Sequence, residues 1–235
     1  MPEQPVPVRD AATVILLRKD GPAPSVLMGQ RGAAATFMPS KFVFPGGAVD
    51  PGDAAVPLVA PLPALCSDRL DEACAPGRAA ALAAAAIREL WEEAGLIVGR
   101  PRAWPGAIPH DWASFAARGH VPDAGALQFV FRAITPPGRP RRFDARFFLI
   151  DAVHVIGDLD DFSAATDELS HLQWIPLPEA RRFDLPFITE VVLAEVAARA
   201  HDPAPPASVP FFRNDDEQSL FLRLSGRSPL QAPNS

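Results

Sequence analysis

The 235-residue chain is short of cysteine, of positive charge and of long apolar runs, and each shortage narrows what it can be. Cys66 and Cys74 are its only cysteines. With no Cys-x-x-Cys and no neighbouring histidine pair they read as ordinary thiols, and nothing in their spacing supports a disulfide between them. The formal net charge of −6 argues against a general affinity for nucleic acid or for acidic membrane surfaces. An anionic substrate would have to be met locally, by a few arginines or by bound cations. The apolar run at 11–17 follows an acid and is too short for a membrane span, with the wrong flanks for a signal peptide. No later segment reaches about 18 apolar residues without a charge or a proline. The expectation is a soluble cytoplasmic protein with neither membrane nor nucleic acid as partner. The five histidines are scattered, with no i,i+4 pair, and receive no catalytic role.

What the chain does have is proline, 28 residues of it, concentrated between elements rather than inside them. A hydrophobic fraction of 48% suits a globular fold. "ATVILLRKD" and "SVLMGQR" read as a hairpin, and "KFVFPGG" as a third strand ending in a glycine pair. Residues 54–80 break periodicity and read as an excursion with one short helix. A helix is expected over 79–94, with Gly95 as its C-terminal cap. "ALQFVFRAI" and "ARFFLIDAV" read as strands either side of the turn-rich "TPPGRPRRFD", and "LQWIPLPEA" as another. A second helix is expected over 186–200, opened by Pro186, with Phe187, Ile188, Val191, Val192 and Val196 at helical spacing. Trp104, Trp112 and Phe115 read as core or loop packing. From 201 on, the chain reads as a linker and a C-terminal arm outside the domain at 1–200. Strands, helix, strands, helix predict an α/β (α+β) sandwich around a mixed sheet. Strands this short and irregularly spaced do not suit a classical doubly wound nucleotide fold, and no G-x-G-x-x-G follows the first strand.

The chemistry concentrates in "AIRELWEEAGL". Glu89, Glu92 and Glu93 share one side of the helix, with Arg88 one turn before Glu92. Acid runs on helices are ordinarily solvated faces. Here, however, like charges at i,i+3 and i,i+4 each cost about 0.2–0.5 kcal/mol, and the acids sit near the negative end of the helix dipole. A purely structural helix gains nothing from that arrangement. A hard divalent cation does. Upstream, "FPGGAVDPGD" brings Gly46 and Gly47 to the end of a strand. There the backbone can make a plain turn, approach a ligand closely or lend a carbonyl to a metal.

"RELWEEAGL" resembles the second half of the Nudix box, G-x5-E-x7-R-E-U-x-E-E-x-G-U, where U is aliphatic. Arg88, Glu89, Leu90, Glu92, Glu93, Gly95 and Leu96 meet every fixed position. The first half looks like "GAVDPGD", with Gly47 followed after five residues by Asp53 in place of glutamate. Asp53 is one methylene shorter, which predicts a weaker supporting role. Between Asp53 and Arg88 lie 34 residues, 27 more than the pattern has, and the insertion is expected to help shape the substrate pocket.

The resemblance implies a Nudix-type α/β/α sandwich that hydrolyses the pyrophosphate of a nucleoside diphosphate linked to another group, using Mg²⁺ or Mn²⁺. Glu92 and Glu93 would be the main metal ligands, with the Gly46 carbonyl as a further donor. Glu89 would be a ligand or the base that deprotonates water, and Arg88 would orient the carboxylates. Glu168 in "TDELSHLQWIPLPEA", with Asp167 behind it, matches the extra acid that family members recruit before a tryptophan-bearing strand. A solvated loop acid is the plainer reading of Glu168.

The box insertion and "TPPGRPRRFDARFFL" are similar to a subgroup that includes peroxisomal coenzyme A diphosphatases. "LMGQRGAAATFMPSKFVFPGG" partly matches the coenzyme A signature L-L-T-x-R-S-x-x-L-x4-G-x-V-x-F-P-G-G, at Leu27, Arg31, Phe44 and Pro45 to Gly47. Gly29, Gly32, Ala35, Ser40 and Phe42 depart from it. Arg31, Arg142, Arg146 and Gly47 are the expected substrate-binding residues, and coenzyme A or an acyl-CoA the expected substrate. ADP-ribose, NADH and dinucleoside polyphosphates are the alternatives, as is a Nudix-fold domain that binds a nucleotide without cutting it. The resemblance also implies a homodimer, to which the apolar "LFLRL" could contribute.

Overall fold

The computed structural model describes residues 6–72, 76–202, 204–214 and 219–226, so Cys74 lies outside the described residues. Its centre is strand β1 (Val8–Arg18), whose interior positions are buried on both faces. Such a run is hydrophobic at every position rather than alternating, as "AATVILL" is. β1 is flanked on one side by β2 (Ser25–Arg31) and on the other by β8 (Arg142–Asp151), which runs parallel to it. β3 (Phe42–Val43) and β9 (Leu169–Pro176) pair with β2, while β7 (Gln128–Ile134) pairs with β8. β4 (Gly46–Ala48) returns to pair antiparallel with β1, so the glycine pair is a strand and not a turn. β5 (Gly99–Pro101) and β6 (His120–Pro122) form a separate two-stranded ribbon.

Helices cover both faces of the mixed sheet. Helix α1 (Ala64–Asp71) and helix α2 (Ala79–Ala94) pack on one face, against a core that includes Val14, Leu16, Phe129, Phe148 and Ile150. Ala83 to Ala86 are fully buried, and their small size lets α2 lie close on β1 and β4. The short helix α3 (Ala113–Ala116) brings Phe115 into the same core, where Trp112 is also buried, as the sequence predicts. Helix α4 (Phe187–Arg199) covers the opposite face over Ile15, Leu17, Phe131 and Phe147. It buries Thr189, Val192, Leu193 and Val196, while Phe187 at its start is 70% exposed.

Two expectations about extent are corrected. The segment after 200 is not an arm outside the domain. β10 (Val209–Asn214) pairs parallel with β7, and β11 (Ser219–Leu224) pairs with β10, extending the sheet. Val209, Phe211 and Leu224 belong to the α2-side core. The inserted helix α1 is bound to this same C-terminal segment. Arg69 donates to the carbonyls of Pro206 and Ala207, and Glu72 accepts from the backbone N–H groups of Ser225 and Gly226. Among the described residues no hydrogen bond or ion pair joins α1 to the α2 carboxylates.

The second correction concerns the basic stretch. Strand β8 starts at Arg142, three residues before the expected start, so Arg142, Asp144 and Arg146 alternate onto one face. Among the described residues no helix is long and apolar enough to cross a membrane.

Candidate active site

The last two turns of α2 lie against β4, and Gly47 is what permits the approach. A Cβ on Gly46 would stand 2.7 Å from the Ala12 carbonyl and the Thr13 Cα, and one on Gly47 would occupy the space of the Glu89 carboxylate. The Gly46 N–H donates to Glu93 Oε2 at 2.7 Å. Gly95, in the left-handed region at φ 70°, ends the helix by donating to Trp91 O, and a Cβ there would crowd Ala164. The chain leading to Glu168 therefore packs on the end of α2, where Thr166 N–H donates to the Glu92 carbonyl.

Arg88 is buried at the centre of the carboxylates, and each of its nitrogens has an acceptor. Nε and Nη2 reach Asp53 Oδ1 and Oδ2, each at 3.1 Å, and Nη2 also reaches the Ala48 carbonyl at 2.9 Å. Nη1 is shared between Glu89 Oε1 and Glu92 Oε2, both at 2.9 Å. Burial works against its charge, but Asp53, Glu89 and Glu92 together raise its pKa. Asp53 reaches Arg88 in spite of its shorter side chain. It sits in a short 3₁₀ turn at Pro51–Ala55 that carries it inward, where it is 1% exposed. Besides Arg88 it accepts from Asp50 N–H and from Trp112 Nε1–H.

The carboxylates are electrostatically unsettled. Burial pushes the Glu89 pKa up to about 7, against the attraction of Arg88 and with further repulsion from Glu92 and Glu168. Burial and the neighbouring Glu89 hold the Glu93 carboxyl well above the usual range, and burial raises Glu92 too, with Asp111 and Asp50 adding to it. Glu93 Oε1 is buried without a hydrogen-bond partner. Among the described residues no three acidic, histidine or cysteine groups converge as a preformed metal cluster. The carboxylate oxygens turn instead to Arg88 and to the Gly46 N–H. A hard divalent cation fits this donor set, because it would take the unpartnered oxygen and offset the repulsion.

Of the outlying residues, Arg31 and Glu168 come to the acids. Glu168 Oε1 lies 3.5 Å from Arg31 Nη2, Glu168 repels Glu89 and Glu93, and Arg31 attracts Glu93. Arg31 Nε is buried and unpartnered. Arg142 and Arg146 do not come to them, which corrects their expected substrate-binding role. Arg146 is 1% exposed and paired with Asp10 and Asp144, while Arg142 donates to the carbonyls of Thr135 and Asn214. Both sit on the α2 side of β8 with Phe148 and Ile150, as their alternation with Asp144 requires. Sequence reasoning missed Trp112, Asp50 and Asp111 as neighbours of the site. For Trp112 no sequence signal could have found it, since its contact with Asp53 crosses 59 residues.

The chain is similar to a putative Nudix hydrolase 7 of Caenorhabditis elegans, 31% identical over 179 residues, covering 71% of this chain and 51% of that protein. Its fold matches the crystal structure of a Nudix hydrolase from Alicyclobacillus acidocaldarius at a TM-score of 0.62 and 28% identity, covering 84% of this chain and 94% of that one. The chain belongs to the Nudix family. It is also similar to an acyl-coenzyme A diphosphatase, NUDT19, of Gallus gallus, 29% identical over 205 residues, covering 60% of this chain and 54% of that protein. This Nudix chain thus spans about half the length of the curated relatives it matches. No family model matches it.

Proposed function

We propose that this Nudix chain hydrolyses the pyrophosphate bond of a nucleoside diphosphate linked to another group, with coenzyme A or an acyl-CoA as substrate. The observation that carries the hydrolase reading is the buried, unpartnered Glu93 Oε1 inside a cluster of carboxylates whose charge the protein itself does not balance. Glu92, Glu93 and Glu89, with the Gly46 carbonyl and Glu168, would hold Mg²⁺ or Mn²⁺. When bound, such cations neutralise the diphosphate and lower the pKa of a coordinated water.

The remaining roles belong to the chain. Glu89, with its pKa about 7, is placed to hold or take up a proton near neutral pH. Arg88 fixes the carboxylates on Glu89 and Glu92 and touches no substrate. Arg31 offers its buried free N–H to a phosphate oxygen, where a guanidinium is well suited. Gly47, with no side chain, leaves room for the Glu89 carboxylate against β4. The coenzyme A reading is supported by the partial signature at Leu27, Arg31 and Phe44 to Gly47, and by the likeness to a relative named an acyl-coenzyme A diphosphatase. A cytoplasmic homodimer completes the proposal.

The test is a substrate panel of coenzyme A, acetyl-CoA, ADP-ribose, NADH and a dinucleoside tetraphosphate with Mg²⁺, the products identified by mass. Coenzyme A should yield 4′-phosphopantetheine and adenosine 3′,5′-bisphosphate and be the best substrate. Hydrolysis of ADP-ribose with coenzyme A untouched sinks the substrate choice, and no hydrolysis at all supports a binding domain instead.

A further inference from the structure

Asp53 has two donors besides Arg88. Its Oδ1 accepts from Arg88 Nε and from Trp112 Nε1, both at 3.1 Å, and its Oδ2 from Arg88 Nη2 at 3.1 Å and Asp50 N–H at 2.9 Å. Asp53 and Trp112 are each 1% exposed, so this hydrogen bond is shielded from solvent. Trp112 is itself fixed by two rings. Phe115 meets it edge-on at 5.2 Å between centroids, and Trp104 lies tilted at 5.8 Å. Of the three rings, only the Trp112 indole bonds to Asp53. It comes from the loop after β5, outside the segment that supplies the carboxylates.

The carboxylate at 53 is a short one, reaching Arg88 from a 3₁₀ turn. Two contacts besides Arg88 define its position, the Asp50 N–H and the Trp112 indole N–H. Asp53 in turn defines the plane of the guanidinium, and the guanidinium's other edge holds Glu89 and Glu92 on one nitrogen. A chain of direct hydrogen bonds therefore runs from Trp112 through Asp53 and Arg88 to the two acids.

We propose that Trp112 is a positioning residue of the metal site, acting through Asp53 and Arg88 on Glu89 and Glu92. This rests on the metal-binding reading above. The indole N–H holds the short carboxylate so that the guanidinium presents both acids in one orientation, and its loss lets Asp53 turn on Arg88 and the acids spread.

The test is Mn²⁺ binding to the full chain, followed by electron paramagnetic resonance, with melting temperature recorded alongside. Trp112→Phe keeps the ring contacts and removes the N–H. It should weaken Mn²⁺ binding about 10-fold, the scale at which groups behind metal ligands act. Trp104→Phe alters the same aromatic cluster without touching Asp53 and should shift binding less than about 2-fold. In an Asp53→Asn background, Trp112→Phe should add less than about 2-fold, because the route through Asp53 is already cut. The inference is overturned if Trp112→Phe binds Mn²⁺ like the wild type, if Trp104→Phe weakens binding equally, or if the full factor persists in the Asp53→Asn background. A wild-type chain that does not bind Mn²⁺ overturns the metal reading itself, and this inference with it.

Discussion

The backbone N–H of Gly46 donates to Glu93 Oε2 at 2.7 Å, joining two residues 47 positions apart. One carboxylate oxygen is thereby fixed by a strand while the other is left buried without a partner. Glycine at 46 lets β4 lie close on β1 and glycine at 47 lets α2 lie close on β4, and these close approaches govern what substitutions there should do.

Gly47→Ala places a methyl group where the Glu89 carboxylate stands. Overpacking of this kind costs about 1–3 kcal/mol, so the variant should melt several degrees lower. It should also bind Mn²⁺ less tightly, since Glu89 must swing away. Unchanged melting and unchanged binding would show that β4 yields freely.

The metal-free protein should lose stability as pH rises from about 4.5 to about 7. In the folded protein Glu89 keeps its proton up to about 7, whereas its ordinary value is 4.5. Between those values the folded state binds more protons than the unfolded one, so stability falls with pH, by roughly 3 kcal/mol for this group alone. Below about 4.5 the contribution is fully present, and above about 7 it is gone. Mg²⁺ favours the charged form, so its stabilising effect should be larger at pH 8 than at pH 5. Melting curves with Mg²⁺ and with EDTA at the two pH values check this.

Arg31 and Arg146 should separate cleanly. Arg31→Gln removes an N–H proposed for a phosphate, and a hydrogen bond to a charged group is worth about 1.5–3 kcal/mol. It should cut kcat/KM about 10- to 100-fold with little change in melting temperature. Arg146→Met removes one partner from Asp10 and Asp144, which keep Arg78 and Arg132, and should cost about 1–3 kcal/mol of stability. A raised KM in a stably folded Arg146→Met would restore it as a substrate residue.

Gly29→Thr moves the chain toward the coenzyme A signature but should lower activity rather than raise it. A Cβ at 29 would lie 2.9 Å from Leu169 Cβ, and the β2–β9 pairing slips at this point. Leu169 must give way, and the adjacent Glu168 moves with it. A fall in kcat with KM nearly constant is expected in steady-state assays.

Much of this was legible in the sequence where the signal is local. α2 announces itself by its alanines, its acids and the Gly95 cap, and its seven fixed residues point to the family. The C-terminal hairpin was not legible, because β10 follows a proline-rich segment and owes its place to pairing with β7, which composition does not encode. Arg142 and Arg146 misled for a related reason. A cluster of arginines beside a turn looks like a phosphate site, and only the register that sets Arg146 beside Asp10 and Asp144 shows that its charge is already met. Trp112 read as packing, which it is, but its N–H finds Asp53 only in the folded chain.

Whether the α2 acids form the metal site of a pyrophosphate hydrolase is decided by Mg²⁺-dependent hydrolysis of the best panel substrate by Glu93→Gln. The amide keeps the size of the side chain and removes its charge. The expected rate is at least about 100-fold below wild type, with the melting temperature in EDTA maintained or raised, because a buried repulsive charge is gone. A Glu93→Gln protein that hydrolyses the substrate at the wild-type rate would overturn the assignment.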